Sequence, residues 1–462
     1  MKKILDISNE IWKIFYKNQK RRKIFKTETK TEKAILVGLQ TENKTAYDME
    51  ESLQELALLT KTANVKIVGT EKQVRSHPYP AYYIGSGKAK EIANLARKKN
   101  ANVLIFDDNL TPSQDRNLTK ITKLKIIDRT QLILDIFSQH AKTKQSRLQV
   151  ELAQLEYNLS RLKGQWTHLS RIEGGIGFRG PGEKQLEVDR RRIRDKISFL
   201  KSKLEVIEKI TKTKRKKREK LFSVGLVGYT NSGKSTILNR FTDSKIYTAD
   251  KLFATLDTIS KGKLLSSKEK IIISDTIGFI KKLPPHLVAS FHATLHEIIH
   301  ADLLLHIIDI SHSKLYEYIE TVFSTLKKIG ADNREMLLVF NKIDLLSKNQ
   351  FVFLKKKLNM DFKNSLFISA KTGENFDNIE DKISEILSER KRIIHLKIPN
   401  SAQKTISYLF DKTEILSKRY NNDFSRFKIR ISNIFYFQNF DKFRKYEIKK
   451  KRMAKRKEIK FK

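Results

Sequence analysis

FSVGLVGYTNSGKSTILNRF (residues 222–241) decides the fold of the larger half of this chain. A β-prone run leads into a glycine-rich turn, and the turn opens apolar residues at helical spacing. Strand, G-x-x-x-x-G-K-S and helix in that order make a phosphate-cradling loop. Gly228, Gly233, Lys234 and Ser235 hold the fixed positions, with Tyr229, Thr230, Asn231 and Ser232 between them and Thr236 after them. Glycines allow backbone N–H groups to converge on an anion at the helix N-terminus. Lys234 is then placed to bridge β- and γ-phosphate oxygens, and the Ser235 hydroxyl to ligate Mg²⁺.

Three further boxes follow, each at the carboxyl end of a β-rich run. DTIG supplies Asp275, Thr276, Ile277 and Gly278; its aspartate can hold Mg²⁺ through water, and the Gly278 N–H can sense a γ-phosphate. NKID supplies Asn341, Lys342, Ile343 and Asp344. The Asp344 carboxylate can accept from guanine N1–H and N2–H₂, a pair that adenine lacks, so the wrong base leaves a carboxylate unpaired. SAK (Ser369, Ala370, Lys371) can brace guanine O6 from the backbone. Between the first two boxes lies LFATLDT, with Phe253, Ala254, Thr255, Leu256 and Asp257. A threonine here closes over Mg²⁺ and the γ-phosphate as a switch; Thr255 is the first choice and Thr258 the second. Four boxes in this order predict a doubly wound domain over residues 219–390 that binds GTP and GDP. Lys234, Thr255 and Gly278 are its expected catalytic contacts, and Ser235 and Thr255 its expected metal ligands.

A water-orienting glutamine often follows the DxxG glycine. Here the position is Phe279. A phenyl ring cannot polarise water, so intrinsic hydrolysis is expected to be slow and dependent on a partner. Asn231 either coordinates a K⁺ ion that stands in for an arginine finger or only hydrogen-bonds its own loop.

Upstream, AILVGLQ, VKIVGT, VLIFDD and KIIDR alternate with helical segments, predicting a small parallel α/β domain over residues 34–138. Leu148, Leu152, Leu155, Leu159 and Leu162 then step by four and three, as do Ile193, Ile197, Leu200, Leu204 and Ile207. Two such seams predict an antiparallel helical hairpin over residues 139–218, with arms of about 16 residues, or roughly 24 Å. Its tip reads GGIGFRGPGEKQLEVDRR (residues 174–191). No strand leads into these glycines and their spacing is not that of a phosphate loop. They point outward, with Arg171, Arg179 and residues 190–192 available to phosphates and Trp166 and Phe178 available to bases, an RNA probe. GSGK (residues 85–88) lacks the first glycine of a phosphate loop, since Tyr82 stands there, and reads as a helix start.

Residues 1–33 form a basic lead, 391–446 a small C-terminal domain and 447–462 a basic tail. Lys and Arg number 94 against 52 acids, a net charge of +42 that favours polyanionic partners. No cysteine is present, which excludes disulfides and thiol catalysis. No apolar run reaches the ~20 residues of a membrane span, and a cytoplasmic monomer is expected.

YIGSGKAKEI, DRTQLILDIF, LQVELAQLEY, WTHLSR, the tip motif and GYTNSGKST with LFATLD and DTIGFI together resemble the HflX family of ribosome-associated GTPases, over roughly residues 34–440. The resemblance implies an N-terminal α/β domain, a helical linker, a Ras-like GTPase domain and a small C-terminal domain. It also implies binding to the large ribosomal subunit and its rRNA near the peptidyl-transferase centre, and splitting of stalled or idle ribosomes. The chain departs from the family pattern at Phe178, Lys184 and Val188, where threonine is common, and after Asp257, where proline is common.

Overall fold

The computed structural model describes residues 32–42, 44–165, 181–216, 221–242, 252–267, 269–282, 292–432, 436 and 439–448. Two compact units emerge, residues 1–139 with 150–198, and residues 140–149 with 199–462.

The first unit begins with the expected alternation: β1 (Lys33–Gln40), α1 (Ala46–Thr62), β2 (Lys66–Val74), α2 (Ser86–Lys98), β3 (Val103–Phe106), α3 (Pro112–Thr122), β4 (Lys125–Asp128) and α4 (Arg129–His140). The strands form one parallel sheet in the order β2-β1-β3-β4. Residues 34–39 of β1 are all buried, as a strand covered on both faces requires. Capping boxes at Thr45 with Asp48, and at Thr111 with Gln114, start α1 and α3. GSGK opens α2, with Gly85 as its N-cap, and Lys88 is engaged by Glu71 (2.7 Å) and Glu91 (2.8 Å). At the carboxyl edge of the sheet the buried Arg129 guanidinium is held by Asp107 (2.8 Å) and Glu55.

The hairpin arms are α5 (Lys144–Gln165) and α6 (Pro181–Lys216). At 22 and 36 residues they exceed the expected 16. The second seam marks only the buried stripe of α6. Helix continues into the Lys/Arg-rich run 212–216, whose residues are good helix formers. It also starts earlier, at Pro181, a residue preadapted to the first helical position. Arg190, Arg191 and Arg192, expected at the tip, therefore lie on α6. Of the seam residues, Leu152, Ile197 and Leu200 are buried, and Lys196 pairs with Glu151 across the arms (2.6 Å). Leu162, Trp166, Arg171, Phe178 and Arg179 lie outside the residues whose side chains are described. α5 is tied to the parallel sheet by the Tyr157 hydroxyl, which donates to Asp128 (2.7 Å), and by Arg161, which meets Asp128 (2.9 Å) and Asp115.

In the second unit β5 (Phe222–Gly228), α7 (Lys234–Thr242), β6 (Ile259–Leu264), β7 (Lys270–Asp275), α8 (His292–Ile299), β8 (Leu303–Asp309), α9 (Leu315–Lys328), β9 (Met336–Asn341), α10 (Lys348–Asp361), β10 (Leu366–Phe367) and α11 (Asp377–Glu389) build a sheet of order β10-β9-β8-β5-β7-β6. All pairs are parallel except β6 with β7. β6, reading ISKGKL, is an edge strand that periodicity does not announce, because lysine and glycine replace the apolar alternation. A separate antiparallel sheet, β11 (Lys391–Pro399), β13 (Phe424–Ser432) and β12 (Glu414–Tyr420), packs Leu396, Ile398, Phe427 and Ile429 against Leu409 of α12 (Gln403–Lys412). A final short helix, α13, spans Phe440–Arg444. Among the described residues no helix is long and apolar enough to cross a membrane.

Candidate nucleotide-binding site

In an open parallel sheet, ligands bind beyond the carboxyl ends of the strands where the chain reverses its winding. β5 is flanked by β7 and β8, and the loops after β5, β7, β9 and β10 meet there. Thr230, Asn231, Gly233, Lys234, Ser235, Thr236, Phe253, Ala254, Thr255, Thr276 and Gly278 line a single cleft.

The loop after β5 is shaped from two sides. Gly233 has φ +97°, and a Cβ there would sit 2.2 Å from Asn341 Nδ2. At Gly278 a Cβ would meet Thr230 Cα at 2.8 Å and Lys234 Nζ at 3.2 Å, so the DTIG turn reaches the phosphate loop only as glycine. Backbone bonds from Thr230 N to Phe279 O (2.8 Å) and Phe279 N to Gly228 O (3.1 Å) join the two loops. The Tyr229 ring stacks on Tyr318 (3.8 Å between centroids), and its hydroxyl accepts from Lys281 N (2.8 Å). The Phe279 ring is 1% exposed, turned into the core. It cannot touch a water in the cleft.

Lys234 Nζ donates to the carbonyls of Gly228 (3.2 Å) and Tyr229 (2.8 Å). Burial pushes its pKa down to about 8, against the pull of Asp275. An ammonium held with only carbonyl partners in a closed loop is primed for a phosphate. Three oxygens converge beside it. Ser235 Oγ donates to Asp275 Oδ2 (2.5 Å) and lies 2.8 Å from Thr255 Oγ1, which is 3.3 Å from the same carboxylate. Burial raises the Asp275 pKa against the Lys234 charge and these hydrogen bonds. Thr230 Oγ1, Ser232 Oγ and Asp275 Oδ1 are buried without a partner. Such orphaned oxygens fit a missing ligand. Hydroxyl and carboxylate oxygens are the donors a hard divalent cation takes. No cluster of three Asp, Glu or His side chains exists among the described residues, so a cation here would complete its shell from phosphates and water. The structure brings Thr255, not Thr258, to this point.

NKID and SAK, expected to hold the base, are joined to each other and to the phosphate loop. Asn341 Nδ2 donates to Ser232 O (2.8 Å) and its Oδ1 accepts from Ala370 N (2.9 Å), bracing both loops. Ser369 Oγ fixes Asp344 Oδ1 (2.6 Å), while Thr372 N donates back to Ser369 (3.1 Å). Lys342, at φ +69°, pairs with Asp309 (2.6 Å), and Ile343 N donates to Ile368 O (3.3 Å). Lys371 is exposed. Sequence reading missed Arg240 on α7. Its guanidinium donates to the carbonyls of Ala370 (3.1 Å), Lys371 (3.3 Å) and Thr372 (3.1 Å), holding the SAK loop from below. No local motif marks it, because its partners lie 130 residues away. In the switch segment Phe253, Leu256 and Ile277 are buried. The Asp257 carboxylate faces away from the cleft and accepts from Lys142 N (3.1 Å), Thr143 N (3.2 Å) and the Thr143 hydroxyl (2.7 Å) at the start of α5.

Family models described as GTP-binding GTPase N-terminal, GTP-binding GTPase middle region and 50S ribosome-binding GTPase match residues 50–138, 140–218 and 223–342. GTPase HflX of Flavobacterium psychrophilum is 44% identical over 376 residues, 78% of this chain and 91% of that protein. GTPase HflX of Escherichia coli is 43% identical over 374 residues, 80% of this chain and 86% of that protein. The crystal structure of a GTP-binding protein from Sulfolobus solfataricus in complex with GDP aligns with 77% of this chain and 98% of its own, at 27% identity and a TM-score of 0.41. With matching segments from the first sheet to NKID and full-length relatives above 40% identity, the chain belongs to the HflX family of GTPases, and its chemistry is the binding and hydrolysis of GTP.

Proposed function

We propose that this GTPase works on the large ribosomal subunit, holding GTP as Mg²⁺·GTP and splitting stalled or idle ribosomes, with the hairpin tip against rRNA near the peptidyl-transferase centre. The observation that carries the nucleotide half is the convergence of Ser235, Thr255 and Asp275 beside Lys234. Mg²⁺, when bound, would neutralise charge between the β- and γ-phosphates. Lys234 exchanges its two carbonyl partners for phosphate oxygens. The Gly278 N–H reports the γ-phosphate, and Asp344, oriented by Ser369, selects guanine. Asn231, in the left-handed region at φ +61°, is the position where K⁺ would assist. None of these groups activates the attacking water, and Phe279 is buried where such a group would stand. Slow intrinsic turnover, accelerated by the ribosome, follows from that.

A slow nucleotide sensor on an RNA-binding scaffold is the second reading, favoured only by Phe279. Turnover measured with and without large ribosomal subunits separates the two. Stimulation of tenfold or more is expected, and replacing residues 174–182 by a short Gly/Ser turn should remove it, together with splitting, while GTP affinity stays unchanged. Equal turnover with and without subunits would overturn the ribosome-driven reading.

A further inference from the structure

The outward face of the sheet β11-β13-β12 carries a charge pattern that a folded domain has reason to avoid. Strand side chains alternate between faces. Ile394, Leu396, Ile398, Phe427, Ile429 and Ile431 point into the core, so His395, Lys397, Phe424, Arg426, Lys428 and Arg430 point out. The register places Lys397 opposite Arg426, and Arg426 opposite Arg419. Three cations, one per strand, thus stand in one row at the ~4.8 Å strand spacing. In the next row Lys428 lies between His395 and Ser417. Like charges directly opposite one another destabilise a sheet.

Acids relieve only one end. Glu414 takes Arg430 (3.0 Å) and, with Glu269, Lys391. Lys397, Arg419, Arg426 and Lys428 have no carboxylate partner among the described residues. Lys397 lies 3.9 Å from the Phe424 ring centroid and the Arg426 guanidinium 5.3 Å, so a half-buried aromatic ring sits between two cations. The chain beyond Ile448 cannot neutralise this face, since KKKRMAKRKEIKFK holds nine basic residues and one acid. A lysine-rich composition would scatter ammonium groups. Here two of the three cations in the central row are arginines, whose planar forks suit phosphate.

We infer that this face, centred on Lys397, Arg419, Arg426 and Phe424, binds the sugar-phosphate backbone of RNA, with Phe424 offering a stacking surface to an unpaired base. It is a second RNA contact, in a different domain from the hairpin tip. Only the choice of RNA over DNA rests on the ribosomal reading.

The test uses the full chain with GDP and a fluorescently labelled, unstructured 20-nucleotide RNA, read by anisotropy across a KCl series. Arg419→Gln with Arg426→Gln should weaken binding tenfold or more. It should also flatten the salt slope by about 0.7 per lost phosphate contact, roughly 1.4 for the pair. Phe424→Leu should weaken binding about tenfold with the slope unchanged. A charge control, Lys356→Gln with Lys363→Gln on and beside α10, should bind RNA as the parent does. The arginine pair should also unfold at higher denaturant than the parent, since like-charge repulsion in the row is gone. Parental binding by the arginine variant overturns the inference, as does an equal loss in the charge control. So would binding to phosphatidylserine vesicles with no affinity for the RNA. Unchanged subunit-stimulated turnover in the arginine variant alongside lost RNA affinity leaves this inference standing. Lost stimulation in the tip variant with RNA binding intact separates the two contacts.

Discussion

His306 shows how a single side chain can set the acid limit of the fold. It sits in β8 at 1% exposure, with Phe323 edge-on at 5.5 Å and Nδ1 unpartnered. Burial, aided by the Lys234 charge, pushes its pKa down to about 3. The folded chain therefore stays unprotonated here while the unfolded chain takes up a proton below about pH 6.5. Stability is undiminished above 6.5 and falls as the pH drops below it, by up to about 1.4 kcal/mol per unit. His306→Leu should lose about 2 kcal/mol less stability than the parent between pH 7.5 and 5, measured by urea unfolding. Parallel losses in the two chains would mean that His306 does not stay neutral. Neither this role nor that of Arg129, pinned between Glu55 and Asp107, is visible in the sequence. Each depends on neighbours brought from distant strands and helices. The residues that line the cleft, from Thr230 to Thr236 with Thr255 and Gly278, were legible, because a phosphate loop and its partner boxes fix their spacing within single turns.

Among the elements, the switch segment 252–258 has two ends with different partners. Thr255 meets Ser235 and Asp275, while Asp257, two residues on, holds Lys142 and Thr143, and Thr143 in turn caps α5 through Ser146 N. Removing this grip by Asp257→Ala should cost about 1 kcal/mol. In the parent chain, amide exchange over residues 142–149 should be slower with a non-hydrolysable GTP analogue than with GDP, and the variant should lose that difference. No nucleotide dependence in the parent chain would refute the coupling. Sequence reading put Asp257 among the nucleotide contacts, since a five-residue motif has no way to show which of its side chains turns outward. For the hairpin, the seams revealed the arms but understated their length. A buried stripe ends where packing ends, whereas the helix of α6 continues on propensity alone. β6 carries no such pattern, since lysine and glycine replace its apolar alternation. β11 and β13 do alternate, with Ile394, Leu396, Ile398, Phe427, Ile429 and Ile431 set against His395, Lys397, Lys428 and Arg430, a period of two that sequence reading overlooked.

At the scale of the molecule, the charge of +42 reads in the sequence only as a general preference for polyanions. The fold concentrates part of it in one cross-strand row, which composition cannot express. The order of domains was legible, but their interleaving was not. The chain leaves the first unit after Gln139, supplies His140–Gln149 to the second, returns for residues 150–198 and then leaves again. A fragment begun at residue 219 would therefore lack the Thr143 hydroxyl that Asp257 grips, and is not the whole of the second unit. One break between residues 150 and 198 has the opposite effect. Fragments 1–172 and 173–462 each own pieces of both units, and the cut parts α5 from α6 and Thr143 from Asp257. Expressed together, they should reassemble, copurify and bind GTP as the unbroken chain does. If fragment 173–462 alone is monomeric and binds GTP with parental affinity, the interleaving is dispensable. Otherwise this GTPase is a protein that can be cut but not divided.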